Sequence, residues 1–322
     1  MSGITVRNGY ELEAGEWDRF VDSAFNGTMF HRQDFLGYHP PGRFAFEHLA
    51  FLRGARLVAL LPGGVVQGEY RSPLGASFGG FVFPPSLPFR DADAVVKCFL
   101  LWCRTREVRE VRLTPPMQVY SPGCDEVFEN ALVYNRFVQY NPLYSSVIDL
   151  GRIRSAADLA KTPRYCVNHA RRKGVVIAED EAYGESYAML VRTKEKFRAV
   201  PTHTLQELEL LRERLPGRLV LFGARFEGRL IAAQHLFLAN RNCALIFYSM
   251  HDHEYRGLHA VNLLVEHSIR WCAQRGMRYL DFGVSCDTFS PDPLEPSWSL
   301  LAFKESMGCT GALRRTYRLA LS

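Results

Sequence analysis

Apolar residues recur along the chain at strand spacing and at helix spacing, in an order that predicts mixed sheets packed with helices. In the first half the pattern predicts a strand at 4–6, a helix near 16–24, a hairpin of 47–52 and 56–61, a helix over 91–106, and strands at 108–113 and 144–150. A Gly-Ala pair at 54–55 supplies the turn of the hairpin.

The second half repeats this order of elements. It predicts a basic helix over 156–173, a strand at 175–178, two helices within 186–215, a hairpin that turns at 227–228, a strand at 244–250, a helix over 258–274 and a strand at 279–282. A repeated order of elements is the pattern expected of a duplicated unit.

Two residue matches support an internal duplication. Arg56-Leu57-Val58-Ala59 in the first hairpin corresponds to Arg229-Leu230-Ile231-Ala232 in the second, an offset of 229 − 56 = 173. Trp102-Cys103-x-x-Arg106-x-x-Arg109 corresponds to Trp271-Cys272-x-x-Arg275-x-x-Arg278, an offset of 271 − 102 = 169. We therefore predict an α/β fold with mixed sheets, divided into tandem domains at 1–150 and 151–322.

Composition restricts the class of protein without identifying it. Of the 322 residues, 47% are hydrophobic and 23% are charged, which is typical of a globular protein. The net charge of +5 favours phosphate-bearing partners but is too small to indicate DNA binding. The start of the chain lacks an apolar signal core, no segment reaches membrane-spanning length, and the eight cysteines lack a Cys-x-x-Cys pair. These features predict a cytoplasmic protein without an integral membrane segment.

The stretch from Tyr279 to Gly308 carries the main candidate chemistry. A short apolar strand is followed by a proline-rich loop and then by an amphipathic helix that begins near Trp298. Lys304 lies beside the apolar face of this helix, next to Phe303. A lysine in that position suits a site for a carbonyl oxygen or a phosphate, although the same spacing also fits a surface lysine whose stem covers apolar groups.

A second candidate is the junction between a strand and a helix at residues 248–260. The N-terminus of a helix after a strand presents free backbone N–H groups to a phosphate or carboxylate. This layout is compatible with transfer of an acyl group from a phosphate-bearing carrier.

Two other motifs are weaker. Ser285 lies in a sequence close to a nucleophile elbow, but prolines follow it where a helix is required. His251-Asp-His253-Glu254 has residues of the kind that bind metals, yet no further His or Cys motif completes the set. We therefore expect neither a serine hydrolase nor a metal site.

The repeated unit resembles the GNAT acyltransferase fold, and the tandem arrangement resembles the Fem family of peptidyltransferases and related proteins with GNAT-like acetyltransferase domains. The resembling segments are Trp17-x-x-Phe20, Gly27-Thr28-x-Phe30-His31, Ala170 to Val175, Glu227-Gly228-x-x-Ile231-Ala232-Ala233, Asp281-Phe282-Gly283 and Leu301-x-Phe303-Lys304-x-x-x-Gly308. The resemblance implies transfer of an amino acid from aminoacyl-tRNA, or of another acyl group, to an amine acceptor. It implies no required cofactor, with aminoacyl-tRNA or acyl-CoA as the donor and tRNA as a candidate partner.

The resemblance also assigns roles to particular residues. It places Phe303 and Lys304 at the reaction centre, where an ammonium group can stabilise the charge that develops on a carbonyl oxygen under attack. It places the basic run Arg171, Arg172 and Lys173 where substrate phosphates bind, although a solvated helix end explains the same run. Asp281, at a strand end, is a candidate proton acceptor or a residue that fixes the loop by hydrogen bonds.

The sequence departs from the family pattern at two places. In the loop that binds acetyl-CoA in GNAT enzymes, this chain has Glu254-Tyr-Arg256-Gly257-Leu-His259, with a glutamate at the first position and a histidine at the position of a small residue. Arg256 and Gly257 are the residues of this loop expected to contact a phosphate. Where Fem enzymes have a lysine for the diphosphate of the acceptor, this chain offers Tyr38 or His39.

Three functions therefore compete. The leading hypothesis is an N-acyltransferase that uses aminoacyl-tRNA or another acyl donor. The second keeps the fold but takes the acyl group from an acyl-CoA or carrier-protein thioester. The third is a domain pair without catalytic activity that binds a phosphate-bearing partner.

Overall fold

A computed structural model describes residues 3–196, 198–287 and 289–321, which divide into two compact units. One unit comprises Met1–Pro142 with Leu313–Ser322, and the other comprises Leu143–Ala312. The strands are β1 Ile4–Asn8, β2 Leu49–Arg53, β3 Arg56–Leu61, β4 Gly64–Val66, β5 Glu69–Ser72, β6 Glu110–Leu113, β7 Val138–Gln139, β8 Leu143–Asp149, β9 Val176–Glu179, β10 Leu219–Phe226, β11 Arg229–Leu238, β12 Cys243–His251, β13 Tyr279–Val284, β14 Thr310–Arg314 and β15 Tyr317–Ala320. The helices are α1 Glu16–Ser23, α2 Gln33–Leu36, α3 Phe89–Thr105, α4 Val127–Tyr134, α5 Lys161–Arg172, α6 Tyr183–Lys196, α7 Leu205–Arg214, α8 Ala260–Gln274 and α9 Trp298–Ser306.

The first unit contains two sheets. A three-stranded sheet has the order β1-β2-β3, and a five-stranded sheet has the order β4-β5-β6-β15-β7. Strands β5 and β6 are parallel and are connected through α3. Aromatic side chains, among them Phe51, Phe81 and Phe99, form much of the core of this unit.

The second unit contains one mixed seven-stranded sheet with the order β14-β8-β13-β12-β11-β10-β9. Strands β12 and β13 are parallel and are connected through α8. Helix α8 packs on the sheet through apolar residues such as Leu264, Ile269 and Cys272, which are buried in the core of this unit.

Helices α6 and α8 cover opposite faces of this sheet. Gln234 and His235 are neighbours on β11, and successive side chains of a strand point to opposite faces. Gln234 is hydrogen-bonded to Ser268 of α8, whereas His235 is hydrogen-bonded to Ser186 of α6. The two helices therefore enclose the sheet from its two sides.

The elements that carry the two residue matches occupy equivalent places. Arg56 begins β3, the second strand of the β2–β3 hairpin, and Arg229 begins β11, the second strand of the β10–β11 hairpin. Trp102 lies near the end of α3 and Trp271 near the end of α8, and each of these helices connects a parallel strand pair. The predicted fold class, an α/β fold with mixed sheets, is confirmed.

The strand near residues 144–150 differs from its predicted role. It is β8, which pairs with β13 in the sheet of the second unit rather than closing the first half. The last strand, β15, pairs with β6 in the first unit. The predicted division after residue 150 follows β8, whereas the compact units divide before it, because strand pairing depends on partners far away in sequence.

No helix in the described part of the chain has the length and apolar character needed to cross a bilayer. None of the eight cysteines, all of which lie within the described ranges, forms a disulfide.

Candidate active site

A cleft opens where β12 and β13 separate. The two parallel strands pair only between Cys243–Leu245 and Tyr279–Asp281. Beyond these residues β12 continues to His251 and β13 to Val284, with no pairing between them in the described residues. Strands that stop pairing leave backbone groups and side chains facing a gap rather than a neighbouring strand.

A cavity of about 860 Å³ occupies this gap. Leu190 and Thr193 of α6 line it, and so do Val261 and Asn262 of α8. Because α6 and α8 cover opposite faces of the sheet, the cavity passes through the sheet. Its walls therefore come from elements on both faces of the sheet.

A β-bulge in β12 borders the cavity. Tyr248 pairs with His235 of β11, but Ile246 pairs with Leu236, so Phe247 has no partner residue on β11. A bulge leaves its extra residue outside the ladder and bends the strand. Phe247 and Tyr248 both line the cavity. The backbone around Phe247 is thus the part of β12 suited to hydrogen-bond a ligand carbonyl.

Lys304 lies on the other side of the gap and is only 4% exposed. Its Nζ donates hydrogen bonds to the carbonyl oxygens of Phe282 (2.9 Å), Gly283 (2.9 Å) and Val284 (3.1 Å). These carbonyls belong to the part of β13 that has left β12. The ammonium group therefore satisfies three successive carbonyls that the irregular backbone at Gly283 turns to one side of the strand.

Burial changes the protonation of this lysine. Desolvation lowers the pKa of Lys304 to about 8, and the nearby Asp281 carboxylate partly opposes that shift. The side chain is therefore mostly protonated at neutral pH. Three carbonyls already accept hydrogen bonds from the three N–H groups of Lys304. A ligand oxygen can therefore be stabilised by the positive charge at a distance, or it can replace one of the carbonyls as a hydrogen-bond acceptor.

Asp281 is buried behind the cavity, with 1% of its surface exposed. Its Oδ1 accepts hydrogen bonds from Ser145 Oγ at 2.9 Å and from the Gly283 backbone N–H at 2.7 Å. Gly283 has a φ of +69°, a conformation that favours glycine. These contacts match the loop-fixing role considered for Asp281, and this residue is not among those that line the cavity.

The start of α8 forms one end of the cavity. Arg256 and Gly257 lie in a 3-10 helix, His253–Leu258, which leads to His259 in the left-handed conformation with a φ of 54°. His259 gives α8 no side-chain cap. Arg256, His259 and Ala260 line the cavity, whereas Gly257 is exposed outside it. The unbonded N–H groups of the first turn and the helix dipole make this end electropositive.

The basic run at the end of α5 separates into two kinds of residue. Arg171 forms an ion pair with Glu266 of α8, whose side chain is only 2% exposed, at 2.5 Å. Arg172 and Lys173 are exposed. They follow His169 by one helical turn, and the His169 ring contacts the His259 ring with centroids 5.5 Å apart. Arg172 and Lys173 therefore lie on the helix face nearest the electropositive end of the cavity, although neither lines it.

Phe303 and Tyr38 occupy different surroundings. Phe303 lines the cavity and also packs against the core of the second unit. Tyr38 belongs to the first unit, where it is buried with its ring centroid 5.3 Å from that of Phe35 and 4.0 Å from that of His39.

Several cavity residues have no counterpart among the predicted site residues. Tyr248 OH lies 2.9 Å from Nδ1 of His203, and burial raises the pKa of Tyr248 to about 12. His251 lines the cavity, and chiefly burial lowers the pKa of its imidazole. Both lie in or beside the strand-to-helix junction that the sequence singled out. Within the described ranges no group of three or more His, Cys, Asp or Glu residues could hold a metal ion.

Comparison with known proteins identifies the fold. Residues 157–289 match the family described as acetyltransferase (GNAT) domain. A comparison with curated proteins found no similar sequence. The chain therefore has a GNAT-like fold, and the segment matched lies within the unit that contains the cavity.

Solved structures extend this likeness over the whole chain. FemX aligns with a TM-score of 0.71 and 13% identity, covering 97% of this chain and 96% of that one. L-PGS from Bacillus licheniformis aligns with a TM-score of 0.60 and 11% identity, covering 95% and 91%. A tandem GNAT protein from the clavulanic acid biosynthesis pathway aligns with a TM-score of 0.57 and 14% identity, covering 98% of both. The predicted resemblance to Fem-like tandem GNAT proteins is confirmed at the level of the fold.

Replacing Lys304 with methionine should destabilise the protein. The substitution removes the donors of three backbone carbonyls, and unsatisfied buried acceptors cost about 1–3 kcal/mol each before water or relaxation compensates. We expect urea unfolding to show a loss of about 2–4 kcal/mol for Lys304→Met. Lys161→Met, at an exposed lysine of α5, is the control and should change stability by less than about 0.5 kcal/mol. Equal stability of the two variants would show that the carbonyls do not depend on the ammonium group.

The two arginines of the basic run should respond differently to substitution. Arg171→Ala leaves the buried Glu266 carboxylate without its charged partner and should lower the free energy of unfolding by about 1–3 kcal/mol. Arg172→Ala removes an exposed charge and should leave it nearly unchanged. Thermal or urea unfolding of both variants measures the difference. Equal effects would contradict a structural role for Arg171.

Proposed function

We propose that this protein is an N-acyltransferase that transfers an aminoacyl group, or another acyl group, from an activated carrier to an amine. The observation that carries the proposal is the cavity through the sheet at the point where β12 and β13 separate. It has an electropositive helix N-terminus at one end and a buried ammonium group beside the gap. A bisubstrate reaction needs both reactants held together in a site with limited water.

The charge of the cavity supports a phosphate-bearing donor. The cavity is lined by three basic residues, Lys194, Arg256 and Lys304. Among the described residues that line it, Asp287 is the acidic one. Arg256 and the first N–H groups of α8 are suited to a donor phosphate. Arg172 and Lys173 extend the positive surface, which gives them a role in attracting the rest of the donor.

The chemistry follows from the groups around the gap. The acceptor nitrogen attacks the acyl carbonyl, a C–N bond forms, and the C–O or C–S bond to the carrier breaks. The carbonyl oxygen accepts hydrogen bonds from the backbone at the Phe247 bulge, and the Lys304 ammonium stabilises its developing charge. Phe303 excludes water from the reacting atoms.

The attacking amine must also lose a proton. His251 is a neutral imidazole at the cavity, because burial lowers its pKa, and it accepts this proton in the proposed mechanism. The proton then passes to the departing oxygen or sulfur of the carrier. Asp281 fixes the β13 loop through Ser145 and Gly283 and acts on the reaction only through that loop.

Aminoacyl-tRNA is the donor that the resemblance to Fem-like proteins supports, and an acyl-CoA is the second candidate. The GNAT match over 157–289 includes the loop before α8, which favours a pyrophosphate-bearing thioester. His259 at the small-residue position opposes ordinary acetyl-CoA binding. Tyr38 in contact with the acceptor and a cytoplasmic location both stay predictions from the sequence.

Transfer should depend on the protonated form of Lys304. With a pKa of about 8, the ammonium loses its proton as the pH rises through that value, so kcat/KM should fall between about pH 7 and 10. Lys304→Met should lower kcat/KM by about 10²-fold or more at pH 7, with Lys161→Met as the control. The assay measures product with aminoacyl-tRNA or acyl-CoA and a panel of amines. Unchanged turnover in folded Lys304→Met would remove the ammonium from the mechanism.

Ligand-induced stabilisation should distinguish the donors. A molecule that binds only the native state raises the Tm, so coenzyme A should raise it if thioesters are the donors and should not if only aminoacyl-tRNA binds. Arg256→Ala should weaken the affinity for the active acyl donor about tenfold and so reduce the rise in Tm. Arg270→Ala, at an exposed arginine of α8, serves as the control. Salt-dependent binding of tRNA without any transfer would support the third hypothesis, a binding protein, and would contradict the proposed enzyme.

A further inference from the structure

A buried amide beside the cavity has a hydrogen-bond donor that the protein does not use. Gln234 is 0% exposed and lines the cavity. Its Oε1 accepts a hydrogen bond from Ser268 Oγ, but its Nε2 has no partner among the residues that the structure describes. A buried amide nitrogen without a partner is unfavourable in the ligand-free protein, so a ligand atom is the group that would complete it.

The position of this donor is fixed by its surroundings. Gln234 lies in the middle of the sheet, opposite Phe222 on β10 and Ser249 on β12. Ser268 of α8, which is fully buried, holds the amide from the helix side. A hydrogen-bond donor that is held by both a central strand and a packed helix loses little conformational freedom when it binds a ligand.

The neighbours of Gln234 define the chemistry of the ligand atom. Ile246 and Val265 line the cavity with it and are apolar. Ser249, opposite Gln234 on β12, and Ser268 add only neutral hydroxyls. A neutral donor in uncharged surroundings fits a neutral oxygen, such as a hydroxyl or carbonyl group, better than a carboxylate, which would need a charged partner. Ser249, the partner of Gln234 on β12, is two residues beyond the Phe247 bulge, where the proposed reaction places the acyl carbonyl.

We infer that Gln234 determines acyl-group specificity by donating its amide N–H to an oxygen on the acyl group. The preferred acyl donor then carries a hydroxyl or carbonyl oxygen in its acyl group, beyond the reacting carbonyl. This inference rests on the proposed acyltransferase function. A site built to hydrogen-bond a substrate oxygen discriminates strongly against the hydrocarbon analogue, because the buried donor is left unpaired.

Two pairs of donors with nearly the same shape test the inference. Threonyl-tRNA is compared with valyl-tRNA, and 3-hydroxybutyryl-CoA with isovaleryl-CoA, since each pair exchanges a hydroxyl for a methyl group. We expect the hydroxyl member of the active class to have a kcat/KM higher by about 10²-fold or more. Gln234→Leu should reduce the ratio of the two kcat/KM values by about tenfold or more, because it lowers kcat/KM for the hydroxyl-bearing donor.

Further variants separate binding from folding. Gln234→Met keeps the length of the side chain but loses the N–H donor, so it should reduce the ratio as Gln234→Leu does. Gln274→Leu, at an exposed glutamine of α8, should leave the ratio unchanged. Ligand-free Gln234→Leu should unfold at nearly the same urea concentration as the wild type, because the removal of an unpaired donor offsets the loss of the hydrogen bond from Ser268.

The outcomes distinguish the two proposals. Equal rates for both members of the active pair, or a ratio that Gln234→Leu does not change, would overturn the inference and leave the acyltransferase function intact. A wild-type protein that transfers no acyl group from either class of donor would overturn the proposed function, and the inference with it.

Discussion

The contact of the Lys304 ammonium with three backbone carbonyls of β13 is the interaction on which the site depends. Successive carbonyls of a regular strand point in opposite directions, whereas here the positive φ of Gly283 (+69°) turns three consecutive carbonyls toward one ammonium group, at the place where β13 separates from β12. A single charged side chain from α9 thus satisfies three carbonyl acceptors at the place where β13 has left β12. Burial lowers the pKa of the lysine to about 8, but the nearby Asp281 carboxylate opposes that shift, so at neutral pH a positive charge still lies close to the place where a reacting carbonyl would lie.

The geometry of the gap gives the site two distinct sides. Because α6 and α8 lie on opposite faces of the sheet, the cavity that passes between β12 and β13 has different walls on the two faces. The α8 side combines an electropositive helix start with the Gln234 amide, and the α6 side presents Thr193 and Lys194. A donor and an acceptor can thus reach one point without competing for one entrance. This separation is consistent with a reaction that joins two dissimilar molecules.

Local sequence patterns predicted much of this arrangement. The helical spacing that placed Lys304 beside an apolar face, and the strand-to-helix junction at 248–260, both lead to residues of the cavity. The matches of Arg56 with Arg229 and of Trp102 with Trp271 predicted the equivalent elements of the two units. What the pattern did not reveal depends on partners far away in sequence. Glu266, which pairs with Arg171, and the β13 partner of β8 could not be identified from the spacing of apolar residues, because neither contact leaves a periodic signal.

Strand β15 sits inside its sheet, between β6 and β7, although it is built from residues 317–320. During synthesis, that sheet therefore stays incomplete until residues 317–320 have left the ribosome, although its other strands lie within residues 64–139. The sheet of the second unit draws its strands from one continuous stretch, residues 143–314, so it needs no strand from outside that stretch. Strand β15 thus completes a sheet whose other strands are made much earlier, and removing or obstructing β15 would be expected to damage the first unit.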